Sequence, residues 1–198
     1  MLGNKDNLRI LSMNLIVWRG LLYKSWEHCE IEIQAGKLAV KSIVIGTYQG
    51  RIYDVSYVLK INPDWCVQEF EIKTEIDGAT TVILGKKEGE EWIINDTQRP
   101  EFDGLRYIDI SVTPFTNSLP INNLHMKIGE QRDIDVLYID ILANELKAVK
   151  QRYSRTSKDH YLYENCDSDF SSIIEVDSKG IVKSYPNLFE VIVENTSK

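Results

Sequence analysis

The sequence lacks most of the features that mark a secreted or membrane-spanning protein. It has three cysteines, an odd number, and their spacing fits neither a disulfide framework nor a Cys-x-x-Cys pair. No apolar run approaches the ~18 residues that a membrane-spanning helix requires. The apolar stretch 8–17 is interrupted by Arg9, Ser12 and Asn14, and no signal-peptide cleavage site follows it. We therefore expect reduced thiols, no transmembrane segment and a cytoplasmic protein.

Catalytic and nucleic-acid-binding signatures are also scarce. The three histidines, His28, His125 and His160, do not have the spacing of zinc ligands. The chain has no G-x-S-x-G elbow, no P-loop and no G-x-G-x-x-G motif. A net charge of -7 and a pI near 5.1 lack the basic footprint of a protein that binds phosphate backbones. We predict no metal, no cofactor, no nucleic-acid partner and no enzymatic activity.

What the chain does have is a hydrophobic period of two, the pattern of half-buried strands. Residues 27–34 alternate strictly, and Asp77-Gly78 is a strong hairpin signal. Alternating segments of this kind amount to about a dozen or more short strands. Over 143–151 the residue types also suit a helix, but alternation favours a strand there. The predicted fold is mainly β, a rolled antiparallel sheet, because a flat sheet of that size would expose its edges and a face. We expect a single domain, 1–198, with 1–12 as a loosely attached N-terminal segment.

The segment 109–121 departs from this pattern. It begins as an alternating strand, and Pro114 ends that strand because proline cannot donate to a ladder. Thr116 or Asn117 can then cap a short helix, with Pro120 in its first turn. The sequence therefore predicts one brief helix that plugs the rolled sheet.

Two charged residues fall on the apolar face of predicted strands. Alternation places Glu27 with Cys29, and Arg51 with Tyr53. Burying a bare charge is costly, so a buried pair between Glu27 and Arg51 is one hypothesis. The alternative is that both residues lie at strand ends, where the face is poorly defined.

Polar and aromatic side chains also share one face of two later strands. Gln151 and Tyr153 lie together on the first, and Tyr161 and Tyr163 lie together on the next. Such a layer is expected in a pocket that holds an amphipathic molecule. A cross-strand aromatic ladder that binds nothing explains it equally well.

One segment, 109–121, has the sequence D-x-S-x-T-P-F-T-N-S-L-P-I. It resembles the central signature of the bacterial putative glycolipid-binding family, first described as a domain of unknown function. Flanking residues match in the same order: Trp18, Glu27-His28-Cys29, Gly46, Tyr57, Trp65, Gln151, Tyr153, Tyr161, Tyr163, Phe170 and the segment 176–186. The resemblance implies a spiral β-roll wrapped around one helix, similar to bacterial lipoprotein-localisation carriers. The family often has two arginines where this chain has Asn122 and Asn123.

The resemblance also implies a non-enzymatic carrier or binding protein for a glycolipid-like or other amphipathic ligand. The candidate ligand-binding residues are Glu27, Arg51, Asp109, Thr113, Thr116, Asn117, Gln151, Tyr153 and Tyr163. One alternative is an enzyme acting on a small metabolite in the same cavity, with Asp109, Thr113, Thr116 and His125 as the acid–base candidates. Another is a structural or protein-interaction domain with a filled core and an exposed edge strand at 188–194.

Overall fold

The structure, a computed structural model, describes residues 12–34 and 37–197. The loosely attached segment expected at 1–12 lies, apart from Ser12, outside the described residues. Within them, fifteen strands form one sheet, accompanied by one six-residue α-helix and two 3-10 turns. The strands are β1 Ser12–Gly20, β2 Ser25–Gln34, β3 Lys37–Tyr48, β4 Arg51–Ile61, β5 Val67–Ile76, β6 Ala79–Glu88, β7 Glu91–Ile94, β8 Thr97–Gln98, β9 Tyr107–Ile110, β10 Gln131–Asp140, β11 Glu145–Arg155, β12 His160–Asn165, β13 Ser171–Val176, β14 Val182–Tyr185 and β15 Phe189–Ser197. The helix α1 is Ser118–Asn123, and the 3-10 turns are Pro100–Phe102 and Phe115–Asn117.

The strand order places the two halves of the chain side by side. Strands β1 to β8 form one antiparallel meander and β10 to β15 form another. The two meanders are joined by antiparallel pairing of β1 with β15. Strand β9 lies outside β10 and runs parallel to it. The sheet therefore has two edges, the two-residue strand β8 and the short strand β9.

One connection shows that this sheet must be rolled. Residues 99–106 run from the end of β8, at one edge, to the start of β9, at the other. If the sheet were flat, its strands, about 4.8 Å apart, would place the two edges roughly 67 Å from each other. Eight connecting residues reach at most about 30 Å. The edges therefore lie close together, and the rolled antiparallel sheet predicted from the sequence is confirmed.

The short helix lies inside the roll because it belongs to the crossover between two parallel strands. A tight hairpin cannot join parallel neighbours, and residues 111–130 make the connection from β9 to β10. Phe115 and Leu119 are fully buried within it. The Ser118 Oγ accepts a hydrogen bond of 3.2 Å from the backbone N–H of Val182 in β14. Interior contacts of this kind make the helix part of the core of the sheet.

The start of the helix differs in detail from the prediction. Asn117 occupies the N-cap position, but its side chain makes no capping hydrogen bond. Its backbone is helical, because α1 continues directly from the 3-10 turn Phe115–Asn117. The Asn117 amide is thereby free to bond another element, as described below.

Other local expectations have mixed outcomes. The segment 143–151 contributes to strand β11, so strand outcompetes helix there. The exposed edge strand expected at 188–194 is wrong, because β15 lies between β1 and β14 in the middle of the sheet. Strand β1 was not among the strands that the alternation indicated. Its partner β15 is more than 160 residues away, and only that pairing completes the roll.

Candidate functional site

Glu27 is the centre of a buried hydrogen-bonded cluster. Its Oε1 accepts hydrogen bonds from Ser42 Oγ at 2.7 Å, Tyr57 OH at 2.6 Å and Thr113 Oγ1 at 2.8 Å. These hydroxyls belong to β3, β4 and the crossover segment. Glu27 in β2 therefore links three strands of the sheet to the chain inside it.

The second oxygen of this carboxyl group is unusual. Glu27 Oε2 is buried and has no hydrogen-bond partner among the described residues. Desolvation raises the pKa of Glu27 to about 7, although the hydroxyls of Tyr57, Ser42 and Thr113 act in the opposite direction. Because the interior favours the neutral acid, the protonated form is populated up to about neutral pH.

The hypothesis of a buried pair between Glu27 and Arg51 is wrong, and the alternative of a strand-end position holds for Arg51 but not for buried Glu27. Arg51 is exposed, and its Nε lies 3.1 Å from Asp77 Oδ2. Its Nη1 also donates to the Leu142 carbonyl at 3.2 Å. Arg51 is the first residue of β4, where the neighbouring hairpin turn supplies an exposed carboxylate, so the alternation of the strand does not control its side chain.

A cavity of about 450 Å³ opens at the end of the roll where the β1–β2, β10–β11, β12–β13 and β14–β15 turns meet. This volume is within the range of about 300–1,000 Å³ typical of small-molecule sites. Its buried floor includes Ile110, Thr113 and Asn117, and its exposed rim includes Leu22 and Phe170. The cavity thus passes from a partly polar floor to an apolar mouth.

Two other depressions, each of about 550 Å³, are less suited to a ligand. One crosses the outer face of β4 to β6, among ion-paired Lys60, Glu69 and Lys86. The other borders the C-terminal end of α1 and includes His125. His125 therefore lies in a different depression from Asp109, and an acid–base pair between them is wrong.

Asp109 contributes a hydrogen-bonded carboxyl group to the lining of the cavity. It is half-buried on β9, and its Oδ2 accepts a hydrogen bond from Gln151 Nε2 at 2.7 Å. Its Oδ1 accepts one from Thr116 Oγ1 at 3.0 Å. Desolvation raises the pKa of Asp109, and the bonds from Gln151 and Thr116 oppose that rise. Both partners are neutral, so the charge of Asp109 is oriented but not compensated.

A second layer of polar side chains holds this carboxyl group in place. Gln151 and Tyr153 are almost fully buried on β11. The Tyr153 hydroxyl donates to Asn117 Oδ1 at 2.9 Å. Asn117 reaches the cavity surface, whereas Gln151 and Tyr153 lie behind it. A ligand would therefore contact Asp109 and Asn117 directly and the other two only indirectly.

Aromatic rings line the rest of the cavity. Tyr163 contacts Tyr185 at a centroid distance of 6.0 Å, and Tyr185 contacts Phe189 at 6.3 Å. Tyr163 also packs edge-on against Tyr153, its cross-strand partner, at 5.4 Å. The ligand pocket and the cross-strand aromatic ladder, given above as alternatives, are therefore compatible, because the Tyr163 ring both packs across the strand pair and lines the cavity. Tyr161 does not line this cavity, and the guanidinium of Arg155 lies over its ring.

The predicted ligand-binding residues thus fall into distinct groups. Asp109, Thr113, Asn117 and Tyr163 line the cavity. Thr116, Gln151 and Tyr153 support it from behind, Glu27 is sealed in the core, and Arg51 lies outside. The structure adds cavity-lining residues that were not predicted, among them Leu22, Tyr23, Ser111, Tyr138, Phe170, Tyr185 and Phe189. Most of them lie in or beside turns, where alternation gives no signal.

Asn122 and Asn123, which replace the arginines common in the family, tie the end of α1 to surrounding loops. Asn122 Nδ2 donates to the carbonyls of Ser118 at 2.9 Å and Gly180 at 3.2 Å. Asn123 Nδ2 donates to the Asp64 carbonyl at 2.6 Å. Neither residue lines the cavity, so their role here is to anchor the helix.

Within the described ranges, no helix is long and apolar enough to cross a membrane. Over the same part of the chain, no three or more His, Cys, Asp or Glu side chains are grouped so as to hold a metal ion.

The fold is a β-roll: a single sheet is rolled around a crossover helix, and a cavity opens at one end. The family model described as "Putative glycolipid-binding" matches residues 15–191. The chain therefore belongs to this family.

Solved structures show the same fold. The chain is similar to a DUF1089 family protein from Pseudomonas aeruginosa, with 32% identity, a TM-score of 0.74, and coverage of 84% of this chain and 91% of that one. A beta-barrel-like protein of domain of unknown function DUF1849 from Brucella abortus shares the fold at 10% identity, with a TM-score of 0.54 and coverage of 96% and 100%. Among curated proteins, none matches this chain.

Proposed function

We propose that this protein is a non-enzymatic binding or carrier protein for a glycolipid-like or other amphipathic small molecule, held in the cavity around Asp109. The observation that carries the proposal is the gradient of polarity in that cavity. Hydrogen-bonding groups of Asp109 and Asn117 lie at the floor, aromatic rings form the walls, and Leu22 and Phe170 are exposed at the rim. A polar headgroup fits the floor, and an apolar chain fits the rim.

The aromatic walls also suit a sugar-like headgroup. Tyrosine presents an apolar ring face together with a hydroxyl, so it can pack on a ligand and orient it at the same time. A cavity of this volume accommodates a headgroup or a single short chain, while the rest of the interior is filled by core side chains. The ligand would therefore enter headgroup first and leave most of its apolar part at the mouth.

The test uses octyl β-glucoside below its micelle concentration, titrated into the protein and followed by calorimetry. Phe170→Ala removes an exposed rim ring and is expected to weaken binding roughly fivefold to tenfold. Trp26→Ala is the matched control, because Trp26 is also an exposed aromatic residue but lies outside the cavity. Native mass spectrometry and lipid extraction would reveal a co-purified ligand. No bound or exchangeable amphiphile across a broad panel would overturn the proposal.

The enzyme alternative has one observation in its favour. An enzyme in this cavity is expected to have an accessible carboxylate or histidine whose pKa is shifted, and Asp109 meets that description because burial raises its pKa. Both Asp109 oxygens, however, accept hydrogen bonds from side chains that orient the group. Binding needs only this fixed acceptor, whereas catalysis needs a second reacting group, so binding is the simpler function.

The interaction alternative also has one observation in its favour. Trp26 and Ile45 are register partners on the outer face of β2 and β3, and their exposed fractions are 54% and 60%. This apolar patch lies away from the cavity, so a contact there is compatible with ligand binding. The three free cysteines fit a reducing compartment, and we extend the proposal to a cytoplasmic location.

A further inference from the structure

Asp109 is a carboxyl group that the protein orients without neutralising. Its two hydrogen-bond partners, Gln151 and Thr116, carry no charge. Among the described residues, no lysine, arginine or histidine forms an ion pair with it. A carboxylate can accept about four hydrogen bonds, and only two are used here. The remaining capacity and the uncompensated charge are both available to a ligand.

The surrounding rings make the cavity favourable for a cation. Tyr163, Phe170, Tyr185 and Phe189 all line it, with neighbouring ring centroids 6.0–6.3 Å apart. The faces of aromatic rings carry negative potential and attract ammonium groups. After burial, the charge of Asp109 is the next largest cause that raises the pKa of Tyr163. The negative potential of Asp109 therefore extends over the wall of the cavity.

The rim has the same sign of charge. Asp140 and Asp167 also line the cavity, and among the described residues Lys147 is the one cationic side chain that lines it. The Lys147 ammonium lies over the ring of Tyr138, 5.4 Å from its centroid. Three carboxyl groups against one ammonium disfavour a phosphate or sulfate headgroup, because like charges repel in a partly desolvated site.

We propose that the headgroup which enters this cavity carries an ammonium group, as an amino sugar or an alkylamine does, and that Asp109 is its counter-ion. This inference rests on the proposed function and narrows its ligand to a chemical class. The ammonium group donates to the free lone pairs of Asp109 and packs against the faces of the neighbouring rings. The apolar part of the ligand lies along Leu22 and Phe170 at the rim.

The experiment compares four eight-carbon probes at pH 7.5 in low salt: octylammonium, octyl 2-amino-2-deoxy-β-glucoside, octyl β-glucoside and octyl phosphate. We expect the two ammonium probes to bind about tenfold more tightly than octyl β-glucoside, and octyl phosphate to bind most weakly. The two ammonium probes, compared with each other, distinguish an amino sugar from a simple amine. This ranking is measured on the natural sequence, so it does not depend on the folding of a variant.

Variants then locate the source of the preference. Asp109→Asn is expected to reduce the affinity ratio of octylammonium to octyl β-glucoside from about tenfold to near one. Asp54→Asn makes the same change of net charge on the exposed outer face of β4 and should leave the ratio unchanged. An equal loss in both variants would assign the preference to overall charge and overturn the role of Asp109. Binding of octyl β-glucoside without any ammonium preference would overturn this inference alone, whereas no binding of any probe would overturn the proposed function as well.

Discussion

Replacing Glu27 with glutamine separates the charge of this buried group from its shape. The amide oxygen of glutamine can still accept the hydroxyl groups of Ser42, Tyr57 and Thr113. The NH₂ group then occupies the position of Oε2, which has no partner among the described residues in the natural protein either. The variant therefore mimics the neutral acid and cannot ionise.

The expected difference in unfolding free energy follows from the raised pKa of Glu27. Burial raises the pKa of Glu27 from 4.5 to about 7, and each tenfold change in proton affinity corresponds to about 1.4 kcal/mol. Since the folded state favours the neutral acid, this stabilisation is fully present below pH 4.5 and is lost as the pH rises through about 7. Relative to Glu27→Gln, the natural protein should lose about 3 kcal/mol in all, of which about 2 kcal/mol falls between pH 5.5 and 8.5.

Urea denaturation at several pH values from 5.5 to 8.5 measures this difference while staying above the pI of 5.1. Glu71→Gln on the exposed side of β5 is the matched control for the loss of one carboxylate. The difference between natural protein and Glu27→Gln also cancels the titration of groups that do not interact with Glu27. Burial and the charge of Glu27 raise the pKa values of Tyr57 and Cys29, so both stay protonated over this pH range. A difference that stays flat, or that favours the natural protein at high pH, would show that the three hydroxyls hold Glu27 ionised and would refute this account.

Three further predictions, the first with a comparison variant, test other parts of the structure. Gly180→Ala should destabilise the fold by about 2–3 kcal/mol in urea denaturation, because Gly180 has φ +73 and an added Cβ would lie 2.5 Å from the Asn122 amide. Gly78→Ala, with φ +84 but no atom within 4 Å, should cost only about 1–2 kcal/mol, and equal losses would show that the Asn122 contact relaxes freely. Tyr153→Phe removes a buried hydroxyl from its amide acceptor and should cost about 1–3 kcal/mol; no change in unfolding free energy would contradict that bond. Arg51→Ala breaks an exposed ion pair and should cost less than about 1 kcal/mol, with unchanged binding of octyl β-glucoside; weakened binding would contradict its place outside the cavity.

The sheet could be predicted largely from local patterns. Alternation and hairpin dipeptides mark strands that pair with their neighbours in sequence, as β2 to β6 do. The same patterns do not reveal the pairing of β1 with β15 or the parallel pairing of β9 with β10. These contacts depend on the way the rolled sheet brings distant segments together. The predicted number of strands, about a dozen or more, was therefore close to the fifteen observed in the described residues. The order of the strands in the sheet could not be predicted from local sequence patterns.

In the candidate site, too, alternation predicts some features, while turns determine the others. The face of Glu27 follows from alternation. The register of β2 and β3 places Ser42 opposite Cys29, which lies two residues after Glu27 on the same face of β2. The partner predicted for Glu27 was wrong because Arg51 lies at the start of its strand, where turns decide the side chain's direction. The cavity is lined by residues from three turns, such as Leu22 and Phe170, and by residues at the facing ends of β10 and β11. Turn conformations in three dimensions, not periodicity, determine which of these residues meet.

The Thr-Pro-Phe-Thr segment acquires a physical meaning from this arrangement. Thr113 donates to Glu27 on β2, and Thr116 donates to Asp109 on β9. Two threonines on the crossover segment thus bond two carboxyl groups from separate strands, and Pro114 lies between them. The most specific sequence feature of this chain therefore fixes the crossover segment inside the roll. Only one of the two carboxyl groups, Asp109, also faces the cavity, so the position of the ligand site depends on a structural clamp of which Glu27 and Thr116 do not line the cavity.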